Sequence, residues 1–582
     1  MDLIFRFCLF LCLGGLLPAA LSFRGADIPW TTYEAEDMVT TGEKLGPKYD
    51  PNLVETESSG QQCVKLAAGQ YVEFTAKEAA NALVVRYSLL DAEKGGGIDS
   101  TIGVWQNGKL LQKLPVTSRY SWVYGKYPFS NDPQAGAARN YFDEVRVKGL
   151  AIAPGDVLRL QPDTNATTPC IIDLVDLEKI SAPLAAPTNS LSITDIRFGA
   201  VGDGETDATE ALKKCIAAAR NESKSVWVPA GDFKLAGDVE VPSGMTIQGA
   251  GMWHTTFIGD PAQYGDTHKR IRFNGAGSDI HLADFAIVGR LNYRKDTEPN
   301  DGIGGWLGEN STIARLWIEH TKTGMWLVNS SNLVVEGCRV RDTMADGVNF
   351  CVGMSHSTIT NCTTRGTGDD GFAIWPTTYL RQKFSPGNNV ISHCTARLPF
   401  LANGAAVYGG ESNRIEDCRF TDITAGCGIL ISTTFPTANP DKGIDNNFSG
   451  TTIVQDCDLV RCGGYDHSWR AALQICLDRR SISGVDIHGL NIKDSISDGF
   501  SVIAPGSERG QGTLTHAALV NVNIPNFGIG VGQRHGLWIR NKVAGSLDIR
   551  NSTIVEQVND STNFIINQIP SVGGSQEKGL KN

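Results

Sequence analysis

"ADGVNFCVGMSHSTITNCTTRGTGDDGFAIWP", residues 345–376, contains one pattern twice: Asp-Gly-apolar-x-apolar begins at Asp346 and returns at Asp370, 24 residues later. Outward from this stretch the same column reads "DGIGGW" from Asp301, "TGMWLV" from Thr323, "NGAAVY" from Asn403, "CGILIS" from Cys427 and "DGFSVI" from Asp498. Successive glycines up to Gly371 are 22, 23 and 24 residues apart, and Gly404 to Gly428 is again 24. A second column, "EGCRV", "TNCTT", "SHCTA", "EDCRF" and "QDCDL", brings Cys338, Cys362, Cys394, Cys418 and Cys457 to one recurring position. A period in this range with Gly-turned, β-rich units is the mark of a solenoid. The fold class is therefore all-β: a right-handed parallel β-helix over residues 193–565. The Cys column reads as an interior ladder of small side chains rather than a set of disulfides. His356 and His393, next to Ser357 and Cys394, read as structural.

A solenoid must be capped. "ITDIRFGAVGDGETDATEALKKCIAAAR", from Ile193, supplies an amphipathic helix with Leu212, Cys215, Ile216 and Ala219 on one face. Its glycines do not form a phosphate loop, because no GK[ST] follows. Upstream, residues 27–180 alternate apolar and polar positions in short strands, as in "ALVVRYSLL", and predict a β-sandwich. Residues 181–190, "SAPLAAPTNS", read as a linker and 566–582 as a polar tail. Residues 1–22 read as a secretory signal peptide, so the expected product is secreted and monomeric. Eight N-x-S/T sequons accord with that route.

The net charge of −11 and the lack of a basic run exclude nucleic acid and anionic membrane as natural partners. No CxxC pair suggests a zinc knuckle. Cys63 and Cys170, near the two ends of the sandwich, are expected to form a disulfide.

Asp369 and Asp370 pose the functional question. Equivalent residues of successive coils stack at ~4.8 Å, so Asp346 and Asp370 lie one above the other and Asp369 joins them from the preceding turn. Three such charges disfavour simultaneous ionisation, which suits a paired acid and base. Asp-Gly turn chemistry alone accounts for Asp301 and Asp498 but not for Asp369. No Lys or Arg occupies a corresponding position, so the cluster is expected to lack a countercharge.

The two coils of residues 345–376 resemble the catalytic coils of glycoside hydrolase family 87, the α-1,3-glucanases and mycodextranases. The resemblance implies a hydrolase that cleaves an α-glucan, α-1,3-glucan or nigeran, with inversion and no cofactor in catalysis. Asp369 would protonate the leaving oxygen, and Asp346 and Asp370 would activate the water. Such an acid and base are ordinarily about 6.5 to 9.5 Å apart. Trp375 and Trp326, on adjoining coils, are candidates for lining sugar subsites. The family 28 polygalacturonases share the Asp plus Asp-Asp layout and add a His where this chain has Asn403. A pectate-lyase-like enzyme with Arg365 near the acids, and a carbohydrate-binding solenoid without catalysis, are the competing readings. Residues 27–180, opening with "YEAEDM" and closing with "CIIDLVDLEKI", resemble carbohydrate-binding modules of family 35 and family 6 type. That resemblance implies a structural calcium held by Glu34, Glu36 and Asp173.

Overall fold

The computed structural model describes residues 24–298, 301–466, 468–505, 512–532 and 534–570. The expected signal peptide and the tail from residue 571 lie outside the described residues. Two β bodies follow one another. In the first, a six-stranded antiparallel sheet that includes Ala80–Leu89, Asp143–Ile152 and Cys170–Glu178 packs on a five-stranded sheet that includes Val72–Thr75, Asp99–Gln106 and Val157–Pro162. Inward positions of both sheets, such as Leu83, Val85, Ile102 and Leu160, form its core.

The second body is a parallel β-helix of three sheets with 14, 13 and 12 strands. One hydrophobic core runs through it from Leu191 to Phe564. Helix Thr209–Glu222 closes the open end and buries Leu212, Cys215, Ile216 and Ala219. At the other end the last strand is Phe564–Ile569, paired throughout with Ala544–Arg550, so the coil extends into residues expected to be tail.

The glycine column follows from sterics. A Cβ on Gly347 would lie 2.4 Å from the Gly371 carbonyl oxygen, and one on Gly371 2.7 Å from that of Gly404. The sheet so aligned runs Ile303, Met325, Val348, Phe372, Ala405, Ile429, Leu473, Phe500, Leu537. The 12-stranded sheet contains five strands that the column did not reveal, at Val239, Phe273, Leu473, Leu537 and Gln557. The five Cys of the second column are buried free thiols stacked along the coil. The residue before each Cys is left-handed, and these positions hold Gly337, Asn361, His393, Asp417 and Asp456. His393 is thus a turn residue, as is His356.

The expected Cys63–Cys170 disulfide is corrected: both thiols are free. Cys170 pairs across from Leu66 and Ile172 from Val64, and all four face the sandwich core. Cys63 points to the other face, beside Phe142 and Ile171.

The sandwich is clamped along the middle sheet of the coil. Arg339 and Arg341 rise from one coil and Arg365, paired with Arg341, from the next. Arg339 binds Glu178 at 2.7 and 2.8 Å, while Arg365 binds Asp176 at 2.8 Å and also Glu144, all of them buried. Trp253 and Trp317 of the coil packed on Ala82 and Val84 of the sandwich, and Tyr141 stacked on Phe400 at 4.1 Å, add apolar contact.

Candidate active site

The residue two places before each strand of the 12-stranded sheet stands at its rim: Asp301, Thr323, Asp346, Asp370 and Asn403. Backbone bonds from Gly347 N to Asp370 O (2.9 Å) and from Gly371 N to Asn403 O (2.8 Å) fix the stack. Thr367 Oγ1 donates to Asp369 O at 2.9 Å, which holds the turn that brings in the third acid. One oxygen from each of Asp346, Asp369 and Asp370 lies within 4.8 Å of the others. These nearest-oxygen separations are shorter than the inverting spacing that the resemblance implied.

Each carboxylate has its own surroundings. Asp370 is buried and held on both oxygens: Asn403 Nδ2 donates to Oδ1 at 2.7 Å and the Tyr408 hydroxyl to Oδ2 at 2.9 Å. Burial, then the charge of Asp369, pushes its pKa up to about 7 against those hydrogen bonds. Asp346 is buried with one long bond, from Asn349 Nδ2 at 3.3 Å. Burial, reinforced by Asp369 and Asp370, raises it well above the ordinary carboxylate range. Asp369 keeps 29% of its side chain exposed and is ion-paired to Arg294 at 2.6 Å.

Arg294 corrects the expectation that the cluster lacks a countercharge. Its Nη1 donates to Gly368 O and its Nε to Asp296, so it braces the Asp369 turn from the loop before Ile303–Glu309. Burial disfavours its charge, but Asp369 and Asp296 outweigh that and hold it above the usual guanidinium range. Asp301 is not an isolated turn residue either. It lines the same cavity, 3.4 Å from Lys322 and 3.8 Å from Arg272. Asp498, by contrast, accepts from His535 N at 2.9 Å, and Arg540 stands 4.0 Å away.

The three acids lie in a cavity of ≈ 620 Å³. Trp326 and Trp375 both line it, with ring centroids 5.5 Å apart, and Tyr379, Tyr408 and Phe435 extend the aromatic wall. The Trp326 indole N–H donates to the Tyr379 hydroxyl at 2.8 Å, which fixes one ring against the other. A cavity of this size, with an aromatic wall and an acidic floor, suits a sugar chain better than a small ion. A second cavity, ≈ 780 Å³, reaches Asp369 and Arg294 from the sandwich side past Lys126, Tyr127 and Phe129.

Family models for α-1,3-glucanase catalytic domains match both bodies, domain D1 over residues 27–180 and domain D2 over residues 205–559. The chain belongs to this family. It is glycoside hydrolase family 87, and the segment that resembled a carbohydrate-binding module coincides with the family's domain D1. The catalytic unit of the thermostable family 87 α-1,3-glucanase from Streptomyces thermodiastaticus strain HF3-3 is 30% identical, with a TM-score of 0.81 over 94% of this chain and 97% of that one. A family 87 α-1,3-glucanase catalytic domain crystallised with nigerose shares the fold at 24% identity and a TM-score of 0.76, over 94% of this chain and 100% of that one. The pre-neck appendage protein of Bacillus phage B103 is 29% identical over 216 residues, 35% of this chain. The match spans 23% of that phage protein's length.

The expected calcium ligands are only partly assembled. Asp173 is taken by Arg86 at 2.5 Å and by Ser59 N at 2.9 Å. Glu34 and Glu36 each keep a buried Oε2 with no hydrogen-bond partner. Burial pushes Glu36 up to about 8 and Glu34, against the pull of Arg397, up to about 6. Two such carboxylates fit a hard cation, with Asp173 outside the set.

Proposed function

We propose that this protein is a secreted enzyme that hydrolyses α-1,3-glucosidic bonds with inversion at the anomeric carbon. The observation that carries the reading is the convergence of Asp346, Asp369 and Asp370 on one aromatic-walled cavity. Family membership selects α-1,3-glucan over pectin, and Asn403 in place of the polygalacturonase His agrees. Asp369, the most exposed of the three, is placed to meet the leaving oxygen. Asp346 and Asp370 hold the water. An attacking carboxylate would lose the hydrogen bond on the oxygen that forms the ester, and Asp370 is held on both oxygens. That favours a fixed base despite the short separation.

The test is to offer α-1,3-glucan, nigeran and polygalacturonate side by side and to follow reducing ends, unsaturated uronide absorbance and the first product anomer by NMR. New reducing ends from α-1,3-glucan, with the β-anomer first, are expected. The α-anomer first would mean a covalent intermediate, and unsaturated products would remove the hydrolase reading.

Calcium at Glu34 and Glu36 would relieve two buried carboxylates and so stabilise the sandwich. Chelator should lower Tm, added Ca²⁺ should restore part of the loss, and Glu36→Gln should abolish the part that Ca²⁺ restores. A Tm indifferent to chelator counts against the site.

A further inference from the structure

Where the sandwich meets the coil, buried acids such as Glu144, Asp176 and Glu178 each have an arginine. Among the described residues, Asp143 and Asp342 form no ion pair with arginine or lysine; Asp143 meets the His320 imidazole and also accepts from Glu144 N at 2.7 Å and from the Tyr87 hydroxyl at 3.3 Å. Asp143 comes from the sandwich strand Asp143–Ile152, whereas His320 and Asp342 follow Trp317–Glu319 and Arg339–Arg341 on successive coils. Both coil residues are left-handed, with φ of 53° and 45°, so the two turns present their side chains from one column. One donor atom from each of the three buried residues lies within 4.8 Å of the others.

Hydrogen bonding leaves this cluster incomplete. His320 Nε2 is 2.7 Å from Asp143 Oδ1, but His320 Nδ1 and Asp342 Oδ1 are buried without a partner. Asp342 Oδ1 sits where Gly366 lacks a side chain, 2.2 Å from the position a Cβ would take. Tyr120 covers the imidazole, with ring centroids 3.9 Å apart and planes 18° from parallel. Unpartnered buried polar atoms are rare because each costs about 1–3 kcal/mol.

We propose that Asp143, His320 and Asp342 bind a divalent cation, zinc or manganese, that ties the sandwich to the coil. Two carboxylates and a neutral imidazole carry two negative charges, which one such ion cancels. The imidazole argues against calcium and magnesium, which take oxygen donors, and for a borderline transition metal. Donors around a tetrahedral zinc stand ~3.4 Å apart, so His320 Nε2 and Asp143 Oδ1, 2.7 Å apart, would open slightly while Asp342, within 4.8 Å, draws in. The ion is structural, because all three positions are buried in the clamp and none lines the cavity of the three acids.

The full-length protein, purified without chelator, should retain about one equivalent of zinc or manganese per chain by elemental analysis. Asp342→Asn and His320→Gln should lose it, and Glu36→Gln should keep it. After chelation, added Zn²⁺ or Mn²⁺ should raise the Tm of the wild-type chain but not that of Asp342→Asn. The wild-type titration needs no variant to fold. Absence of retained metal together with a Tm unmoved by Zn²⁺ and Mn²⁺ overturns the proposal, as does a response to Ca²⁺ alone or a metal that Glu36→Gln removes.

Discussion

Asn in place of Asp346, Asp369 or Asp370 should lower kcat by ~10²- to 10⁴-fold, the range that a positioned acid or base contributes, while Asp498→Asn leaves it near wild type. Asp301→Asn is not a neutral control, since Asp301 lines the cavity. The roles separate with an activated substrate: α-nigerosyl fluoride needs no protonated leaving group, so the acid variant, expected to be Asp369→Asn, should recover activity on it while the other two do not. Equal loss on fluoride and glucan by all three variants would refute the division of labour.

Two of these substitutions, at Asp346 and Asp370, should also stabilise the fold. A carboxyl whose folded pKa exceeds its unfolded one favours the folded state only while protonated. For Asp370 that contribution is present below about 4 and is lost as pH rises through about 7. At neutral pH the buried pair Asp346 and Asp370 therefore opposes folding, and Asp346, which is raised well above the carboxylate range and has the weaker hydrogen bonding, does so most directly. Asp346→Asn should raise Tm at pH 7 and much less at pH 4. Asp370→Asn should gain less, because Asn403 Nδ2 and the Tyr408 hydroxyl both donate to the carboxylate it removes. A lower Tm for Asp346→Asn at pH 7 would mean that the cluster contributes to stability rather than opposing it.

The sequence made the repeat legible because the glycine column answers a steric demand that recurs on eight of the sheet's twelve strands. Where the demand was met otherwise the reading lost its place: Ala472 stands at the glycine position of the coil at Leu473, and a long insertion separates Phe500 from the "HGLWIR" coil at Leu537. The three acids were legible for the same reason, since two of them occupy the column. Arg294 was not, because it comes from a loop outside the repeat, 75 residues before its partner Asp369. Periodicity gives no position to loop residues. Tyr379 arrives on another such insertion, and only folding shows that Asn403 and Tyr408 turn back to hold Asp370. In the sandwich, alternation gave the strands but not the opposite facing of Cys63 and Cys170, nor the arginine that occupies Asp173.

Replacing Arg365 with Met should destabilise the protein by about 3–5 kcal/mol, the cost of stranding a buried charge when one partner of an ion pair is removed. Glu144 and Asp176 are both buried and both bind Arg365, so a single substitution strands two carboxylates. Arg341, the other arginine beside Glu144, stands 3.6 Å away, is tied to Thr363 by two hydrogen bonds of 3.0 Å and forms no ion pair with Asp176, so it cannot take over both acids. Activity should fall as well if the three acids act as proposed, because Arg365 is four residues before Asp369 and its strand leads into the turn that carries Asp369. The triple change Arg365→Met, Glu144→Gln and Asp176→Asn removes the stranded charges and should recover most of the loss, since a buried ion pair replaced on both sides is often nearly neutral. Denaturant unfolding followed separately by the sandwich and coil tryptophans would show whether the clamp makes the two bodies unfold together. If Arg365→Met unfolds at the wild-type midpoint, the interface is held by its apolar contacts and the arginine column is dispensable.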